Sequence, residues 1–394
     1  MSVVVDCTMD TAMKNIVILA TGGTIAGAGE QGKDIGYKSG ALEAQTLIDA
    51  VPELKNVANI RVDQVCNINS DDITSEIWIS LARRINVLAS EGFGTSRENV
   101  DGFVIMHGTD TMEETAFFLN LTLGGFAPNV AENVAENAAR SVILSEVEGA
   151  RKNVTGNAVC DASGNATGNV AKPVILTGSM RPATAAEPDG PANLLFAVRS
   201  AVEYSVELSS RPQCRDHRLS FANNVPVFVA FAGKLMDART VQKVHANDLD
   251  AFEEISSELS CPPQSGHHPL LKAKNSFNVS SLRELPRVSV LYFNADADAE
   301  LVRFAAERSA GLVIAGAGAG EFSKSWAYAL AKVNVPVVVS TRINRGCIVP
   351  EQLLVKGTIA AYDLPPAKAA VLLRLALTVT NNPVVIQDIY HMYR

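Results

Sequence analysis

The sequence predicts an α/β fold, with a large N-terminal doubly wound domain followed by a smaller C-terminal α/β domain. Apolar runs of strand length alternate along the chain with helical patterns, which is typical of parallel sheets. The alternation is interrupted at 253–286, where prolines and a glycine replace any periodic pattern. Of 394 residues, 47% are hydrophobic, which is sufficient for a sizeable core. We therefore predict domains at 1–255 and 287–394, with a linker at 256–286.

The first element is a strand that ends in a glycine-rich turn. The apolar run at 16–20 is followed by TGGTIAG, in which Thr21 and Thr24 bracket two glycines. Glycine lets the backbone turn sharply and lets a substrate approach closely. A dinucleotide or phosphate loop is the alternative, but the spacing is not G-x-G-x-x-G and no G-K-[S/T] follows. A polar, glycine-rich surface loop at 29–40, which contains Tyr37, comes next.

A second strand, turn and helix occupy 101–123, DGFVIMHGTDTMEETAFFLNLTL. The strand at 102–106 precedes Thr109 and Asp110, and Thr111 with Glu114 has the spacing of a capping box. A hydroxyl and a carboxylate therefore stand at the carboxyl end of a strand, where open α/β sheets bind ligands. From this stretch alone, a simple helix-capping role for Thr109 and Asp110 is an open alternative.

The remaining elements follow the same alternation, with two insertions. The tract at 124–171 is rich in Asn and small residues, and 206–223 also lacks a pattern. Both lie on helix-to-strand connections, which leave the sheet at the edge opposite the predicted site. In order, we predict helices at 41–51, 75–88, 193–204, 297–309, 324–333 and 366–379, and strands at 60–65, 173–177, 225–231, 287–293, 311–315 and 335–339.

Composition excludes several classes of function. The net charge is −8 and no cluster of basic residues occurs, so nucleic acid is not an expected partner. The six cysteines lack C-x-x-C spacing and the histidines complete no ligand pattern, so we expect free thiols and no metal. No apolar run reaches transmembrane length, and the N-terminus does not read as a signal peptide. We expect a cytoplasmic protein with no membrane partner.

Two segments, ATGGTIAG at 20–27 and HGTDTMEETAFFL at 107–119, together resemble the signatures of the L-asparaginase/glutaminase family of bacterial amidohydrolases. The resemblance extends to KPVILTGSMRPATAAEPDGPANL at 172–194, MDARTVQKVHAND at 236–248 and AKAAVLLRLALT at 367–378. It covers most of the chain apart from the two insertions. The fold that it implies is a large flavodoxin-like N-terminal domain and a small C-terminal one.

The resemblance implies hydrolysis of L-asparagine to L-aspartate and ammonia through a threonine acyl-enzyme, with side activity on L-glutamine. It implies Thr24 as the nucleophile beside Tyr37, and a proton relay of Thr109, Asp110 and Lys243. No cofactor or metal is implied, and the family assembly is a homotetramer. The implied substrate-binding residues are Gly23, Ser70, Asp71, Thr109, Asp110 and Glu321.

Departures from the family pattern keep two other functions open. Asp71 stands where many members have Gln, Ala238 replaces a glycine, and Ala319 and Glu321 replace asparagines. These changes leave room for a catalytically inactive small-molecule binding protein. The other alternative is an amidase-type subunit of a tRNA-dependent amidotransferase, which shares the fold. Such subunits usually have an additional domain before the first signature.

Overall fold

The structure is a computed structural model that describes residues 13–33, 36, 38–94, 98–123, 172–210, 225–255 and 277–393. The predicted insertion at 124–171 lies outside the described residues, as do Tyr37, residues 211–224 of the second insertion region and the linker up to 276. The predicted domain boundaries therefore stay a prediction.

Six strands of the described residues form the larger sheet. They are β1 (Asn15–Gly22), β2 (Asn59–Ile68), β3 (Gly102–Met106), β4 (Val174–Thr177), β5 (Val227–Phe231) and β6 (Lys234–Asp237). Their order is β2-β1-β3-β4-β5-β6, the first five parallel and β6 antiparallel to β5. The parallel part has the strand order of flavodoxin-like folds, so the predicted doubly wound fold is confirmed.

Helices cover both faces of this sheet. They are α1 (Ala44–Asp49), α2 (Ser75–Glu91), α3 (Met112–Thr122) and α4 (Gly190–Ser210). Every residue of β1 is buried, and its side chains alternate between the two faces. Val17 and Leu19 pack with α2 and α3, whereas Ile16 and Ile18 pack with α1 and α4. A strand that is apolar on both faces must lie inside a doubly covered parallel sheet.

A second, smaller sheet follows a short hairpin of β7 (Val241–Lys243) and β8 (Phe252–Glu254). Its strands are β9 (Val288–Tyr292), β10 (Gly311–Gly316), β11 (Val337–Thr341) and β12 (Ile359–Ala360), all parallel in the order β12-β11-β10-β9. The helices of this half are α5 (Glu300–Ala306), α6 (Lys324–Leu330), α7 (Pro366–Ala376) and α8 (Pro383–Met392).

Helix α7 connects the two halves of the molecule. Leu372 and Leu373 belong to the same buried cluster as Phe117 and Phe118 of α3. The same cluster includes Val313 of β10. One continuous apolar core therefore extends from the larger sheet to the smaller one, and α7 lies at the junction.

Several elements differ from the sequence prediction. Helix α4 runs to Ser210, past the predicted end at 204 and into the predicted second insertion. The sequence did not predict β6, the β7–β8 hairpin, β12 or α8. The strands missed are two to four residues long, too short for an alternating pattern to be recognised.

Two further expectations concern membrane-spanning helices and cysteines in the described residues. No helix in that part of the chain is both long and apolar enough to cross a bilayer. Cys66 is a free thiol, but Cys347 is disulfide-bonded. The expectation of free thiols is therefore wrong at Cys347.

Candidate active site

The turns that follow β1 and β3 meet at one edge of the larger sheet. These strands are parallel neighbours, and the chain continues to opposite sides of them, which opens a crevice at their carboxyl ends. Gly23 has φ +79°, and a Cβ there would collide with the backbone of Gly108. The Gly23 N–H donates to the carbonyl of Ile68 at 2.8 Å. Glycine at position 23 is what permits this close approach.

The two threonines that bracket the glycines have different surroundings. The Thr21 hydroxyl is buried and donates to the carbonyl of Met106 at 3.0 Å, which ties β1 to β3. Thr24 begins a short 3-10 turn, Thr24–Ala26, and is half-buried. Thr21 therefore has a structural role, and Thr24 is the threonine of this turn with access to solvent.

Lys243, Thr109 and Asp110 form a hydrogen-bonded group. Lys243 Nζ donates to Thr109 Oγ1 at 2.9 Å and to Asp110 Oδ1 at 2.6 Å. The side chain of Lys243 is 15% exposed, whereas that of Asp110 is 62% exposed and contacts solvent. Because Thr109 Oγ1 accepts a hydrogen bond from the lysine, its own proton can be donated elsewhere. The group thus offers a hydroxyl, an amine and a carboxylate within reach of one another.

The helix start predicted at about Thr111 is confirmed, but the side-chain bond of the capping box is absent. Helix α3 begins at Met112 with Thr111 as its N-cap, so neither Thr109 nor Asp110 caps it. Thr111 makes no capping bond with its side chain and donates instead to the carbonyl of Ser70 at 2.7 Å. The turn after β3 is therefore held by the neighbouring loop and not by a capping box.

Ser70 and Asp71 begin a 3-10 turn, Ser70–Asp72, close behind β2. Ser70 is buried, and its Oγ accepts from the backbone N–H of Asp110 at 3.3 Å. Asp71 is exposed. The ends of β1, β2 and β3 thus converge, and they bring Ser70 beside Asp110 as the strand order requires.

His107 links the core to this turn through a chain of hydrogen bonds. It is fully buried, and Nδ1–H donates to the carbonyl of Gly108 at 2.7 Å. Nε2 therefore accepts from the hydroxyl of Thr115 at 3.0 Å, which in turn accepts from the indole N–H of Trp78 at 2.8 Å. Burial lowers the pKa of His107 to about 4, and the bond to Gly108 opposes this shift. The neutral ring fixes the residue that precedes Thr109.

The structure does not bring every predicted site residue to this group. Tyr37 lies outside the described residues. Glu321 lies after β10 in the smaller sheet, where its backbone N–H and carbonyl both bond to Ala317. Within the described ranges, no group of three His, Cys, Asp or Glu side chains is arranged to hold a metal ion.

Sequence reasoning missed three polar residues behind the site, the buried His107 and Lys368 and the half-buried Glu113. Two of them carried a signal. Lys368 is a charge in an otherwise apolar helical segment, and His107 directly follows a strand without a polar residue. A buried charge or ring of this kind requires a partner, so each indicated a specific contact. The sequence could not identify the partners. Lys368, for example, donates to the carbonyls of residues 238, 239 and 241, which are more than 100 positions away in the chain.

Comparison with known families gives matches along most of the chain. Residues 15–131 and 165–260 match the family described as asparaginase, N-terminal, and residues 287–390 match the glutaminase/asparaginase C-terminal domain. Together these ranges include every residue of the candidate site.

Individual relatives are similar over nearly their full length. L-asparaginase 2 of Escherichia coli is 33% identical over 97% of this chain and 94% of its own. Glutaminase-asparaginase of Pseudomonas fluorescens biotype A is 31% identical over 97% of this chain and 91% of its own. A crystal structure of a probable cytoplasmic L-asparaginase from Campylobacter jejuni superposes with a TM-score of 0.71 at 34% identity, covering 96% of this chain and 100% of that one.

Proposed function

The chain belongs to the asparaginase family, and on this premise we propose that it hydrolyses L-asparagine to L-aspartate and ammonia, with side activity on L-glutamine. The observation that carries the proposal is the hydrogen-bonded group of Lys243, Thr109 and Asp110. Thr109 and Asp110 follow β3, which is the parallel neighbour of β1, the strand that precedes Thr24. This arrangement provides a second hydroxyl and a proton carrier beside a threonine nucleophile.

In the first step, Thr24 Oγ attacks the carbon of the substrate's side-chain amide. A C–O bond forms, the C–N bond breaks, and the proton of the threonine leaves with the nitrogen as ammonia. Direct attack of water on an amide is slow, and the ester intermediate divides it into two easier steps. Backbone N–H groups in the turns at Gly23, Thr24 and Thr109 are candidate donors to the oxyanion.

In the second step, water cleaves the ester and Thr24 regains its proton. The group of Thr109, Lys243 and Asp110 moves a proton in one of the two steps, and Asp110 holds the lysine in place. Tyr37, on the loop after Thr24, assists the deprotonation of Thr24 or positions it.

The substrate's charged groups bind beside the nucleophile. The Ser70 hydroxyl donates to the α-carboxylate, and Asp71 accepts from the α-ammonium through a charge-assisted bond. Gly23 lets the substrate approach the backbone. Glu321 lies after β10 of the smaller sheet, and in a homotetramer it reaches the site of a neighbouring chain.

An assay for ammonia release with L-asparagine and L-glutamine tests the proposal. We expect release from asparagine, slower release from glutamine, and by light scattering a particle of four 41.9 kDa chains. The assay contains neither tRNA nor a second protein, so activity excludes the amidotransferase subunit. Binding of asparagine without ammonia release would instead favour the inactive binding protein.

We also propose a cytoplasmic location. The Campylobacter jejuni protein is described as a probable cytoplasmic L-asparaginase, which supports the proposal. Two observations point the other way: a relative in Haemophilus influenzae is named periplasmic, and Cys347 is disulfide-bonded, which is rare in a reducing compartment. Cell fractionation together with thiol labelling of Cys347 distinguishes the two compartments.

A further inference from the structure

Two charged side chains outside the catalytic group, the half-buried Glu113 and the fully buried Lys368, contact the segment that carries Lys243. Glu113 Oε2, on the first turn of α3, accepts from the backbone N–H of Lys243 at 2.5 Å. Lys368 Nζ, on α7, donates to the carbonyls of Ala238 at 3.0 Å and Arg239 at 2.9 Å, and also to that of Val241. Residues 238–243 are therefore bonded by a carboxylate from one helix and an ammonium from another.

Burial disfavours the charged forms of Lys368 and Glu113, and the opposite charge of the other residue favours them. Lys368 is 0% exposed, and burial lowers its pKa to about 8 while the charge of Glu113 acts in the opposite direction. Burial raises the pKa of Glu113. The charge of Lys368 is the largest of the effects that lower this pKa. A fully buried ammonium costs free energy unless hydrogen bonds and an opposite charge offset that cost, so Lys368 depends on its three carbonyl partners and on the charge of Glu113.

The held segment has little secondary structure of its own. Strand β7 has three residues and pairs only with β8, itself three residues long, within the part of the chain that the structure describes. An ammonium has three protons to donate, and Lys368 uses them on three carbonyls of a single turn. Misplacement of a reacting group by about 1 Å can reduce a rate by about 100-fold.

We propose that Glu113 and Lys368 are positioning residues for the reaction, which together hold the 238–243 segment so that Lys243 Nζ stays within hydrogen-bond distance of Thr109 and Asp110. The inference rests on the proposed function for its effect on turnover. The geometry that it asserts, a fixed position of the Lys243 side chain, can be measured without any activity.

The test compares Glu113→Ala, Glu113→Gln and Glu114→Gln with the wild type. Glutamine at 113 keeps an acceptor for the Lys243 N–H, whereas alanine removes it. Glu114 is the matched control, because it is the adjacent half-buried carboxyl on the same helix and, within the described residues, makes no hydrogen bond to the 238–243 segment. Steady-state kinetics and competitive acetylation of lysines with acetic anhydride, read by mass spectrometry, are applied to each assembled protein.

We expect Glu113→Ala to reduce kcat by about 30-fold with KM within about twofold, and to raise the acetylation rate of Lys243 several-fold. Glu113→Gln should recover most of both, and Glu114→Gln should match the wild type. Unchanged acetylation of Lys243 in Glu113→Ala, or an equal effect of Glu114→Gln, would overturn the proposal.

Lys368→Met extends the test to the other helix. It keeps an unbranched side chain that is one atom shorter and removes the donors, so the three carbonyls lose their partner. If the variant is soluble, Lys243 should again become more reactive; if it does not fold, the Glu113 variants decide. A wild type without ammonia release would refute the proposed function alone, since the acetylation rates still decide whether Glu113 positions Lys243.

Discussion

The two parallel sheets each place a glycine-rich turn at the end of a buried strand, but only one of these turns stands beside reactive groups. In the larger sheet, Gly23 touches the backbone of Gly108 on the neighbouring turn. In the smaller sheet, the turn after β10 closes on itself, since Ala317 and Glu321 exchange backbone hydrogen bonds at 2.8 and 2.7 Å. A glycine-rich turn therefore brings two neighbouring strand ends together in the larger sheet, whereas in the smaller sheet it only terminates β10.

A threonine on the neighbouring strand shows what the difference means. In the smaller sheet, Thr341 Oγ1 donates its proton to the carbonyl of Gly318 at 2.6 Å. In the larger sheet, Thr109 Oγ1 instead accepts from Lys243 at 2.9 Å. The Thr341 hydroxyl is committed to structure, whereas the proton of Thr109 is available for chemistry. Position at a strand end is thus insufficient, and the partner of the hydroxyl decides its role.

The largest expected effect comes from removing the two hydroxyls of the larger sheet. Thr24→Ala and Thr109→Val should each reduce kcat by about 1,000-fold or more, because each removes a reacting group and little volume. Thr341→Val in the smaller sheet is the matched control and should leave kcat within about twofold while costing about 1 kcal/mol of stability. Wild-type turnover in Thr24→Ala or Thr109→Val would remove that residue from the mechanism.

A second expected effect concerns stability and pH in the larger sheet. The pKa of His107 is about 4 in the folded protein against 6.5 as its ordinary value, so the unfolded chain binds more protons between these values. The contribution of His107 is fully present above pH 6.5 and is lost as the pH falls toward 4. It amounts to about 3 kcal/mol. Urea unfolding of wild type and His107→Gln across this range measures it as a difference in slope.

Glu114 changes the free energy of unfolding with pH in the opposite direction, so its effect must cancel in the comparison of the two proteins. Burial, and then the charge of Glu113, raise its pKa to about 7 from 4.5. A carboxyl with a raised pKa makes the folded protein less stable as the pH rises through this interval. Since Glu114 is present in both proteins, subtraction removes its effect. Identical pH slopes in wild type and His107→Gln would contradict the buried neutral state of His107.

The smallest expected effect is on the preference for asparagine over glutamine. Variants of Asp71 and Glu321 test whether residues from both sheets contribute to one binding site. Asp71→Gln should change the ratio of kcat/KM for asparagine to that for glutamine by about 3- to 10-fold, because a carboxylate binds an ammonium more strongly than an amide does. Turnover of asparagine should change less than this ratio. Glu321→Asn is the counterpart in the smaller sheet. An equal fall for both amides in Asp71→Gln would mean that Asp71 is not a specificity residue.

Most of the larger sheet could be predicted because its signal is local. Strand β3 is an apolar run of five residues, and the structure has it at the predicted bounds, Gly102–Met106. The order of β1 and β3 then follows from the doubly wound pattern. Strands β7 and β12 have three and two residues and are set by tertiary contacts, so no periodicity in the sequence marks them.

The candidate site was only partly predictable for a similar reason. Thr109 and Asp110 were indicated by their place after a strand, but the capping box was wrong because Thr111 bonds Ser70, which is 41 positions away. Glu113 was not singled out from the sequence. Its contact with Lys243 spans 130 positions, and no local pattern encodes such a distance.

The hydrogen-bond chain through His107 has a consequence for how protons reach the site. It begins at the indole of Trp78, which can only donate, and ends at the carbonyl of Gly108, which can only accept. Such a chain has one direction and cannot serve as a proton wire from the core. This chain therefore carries no proton between the core and the catalytic turn, whereas Asp110, with a side chain 62% exposed, can exchange protons directly with solvent.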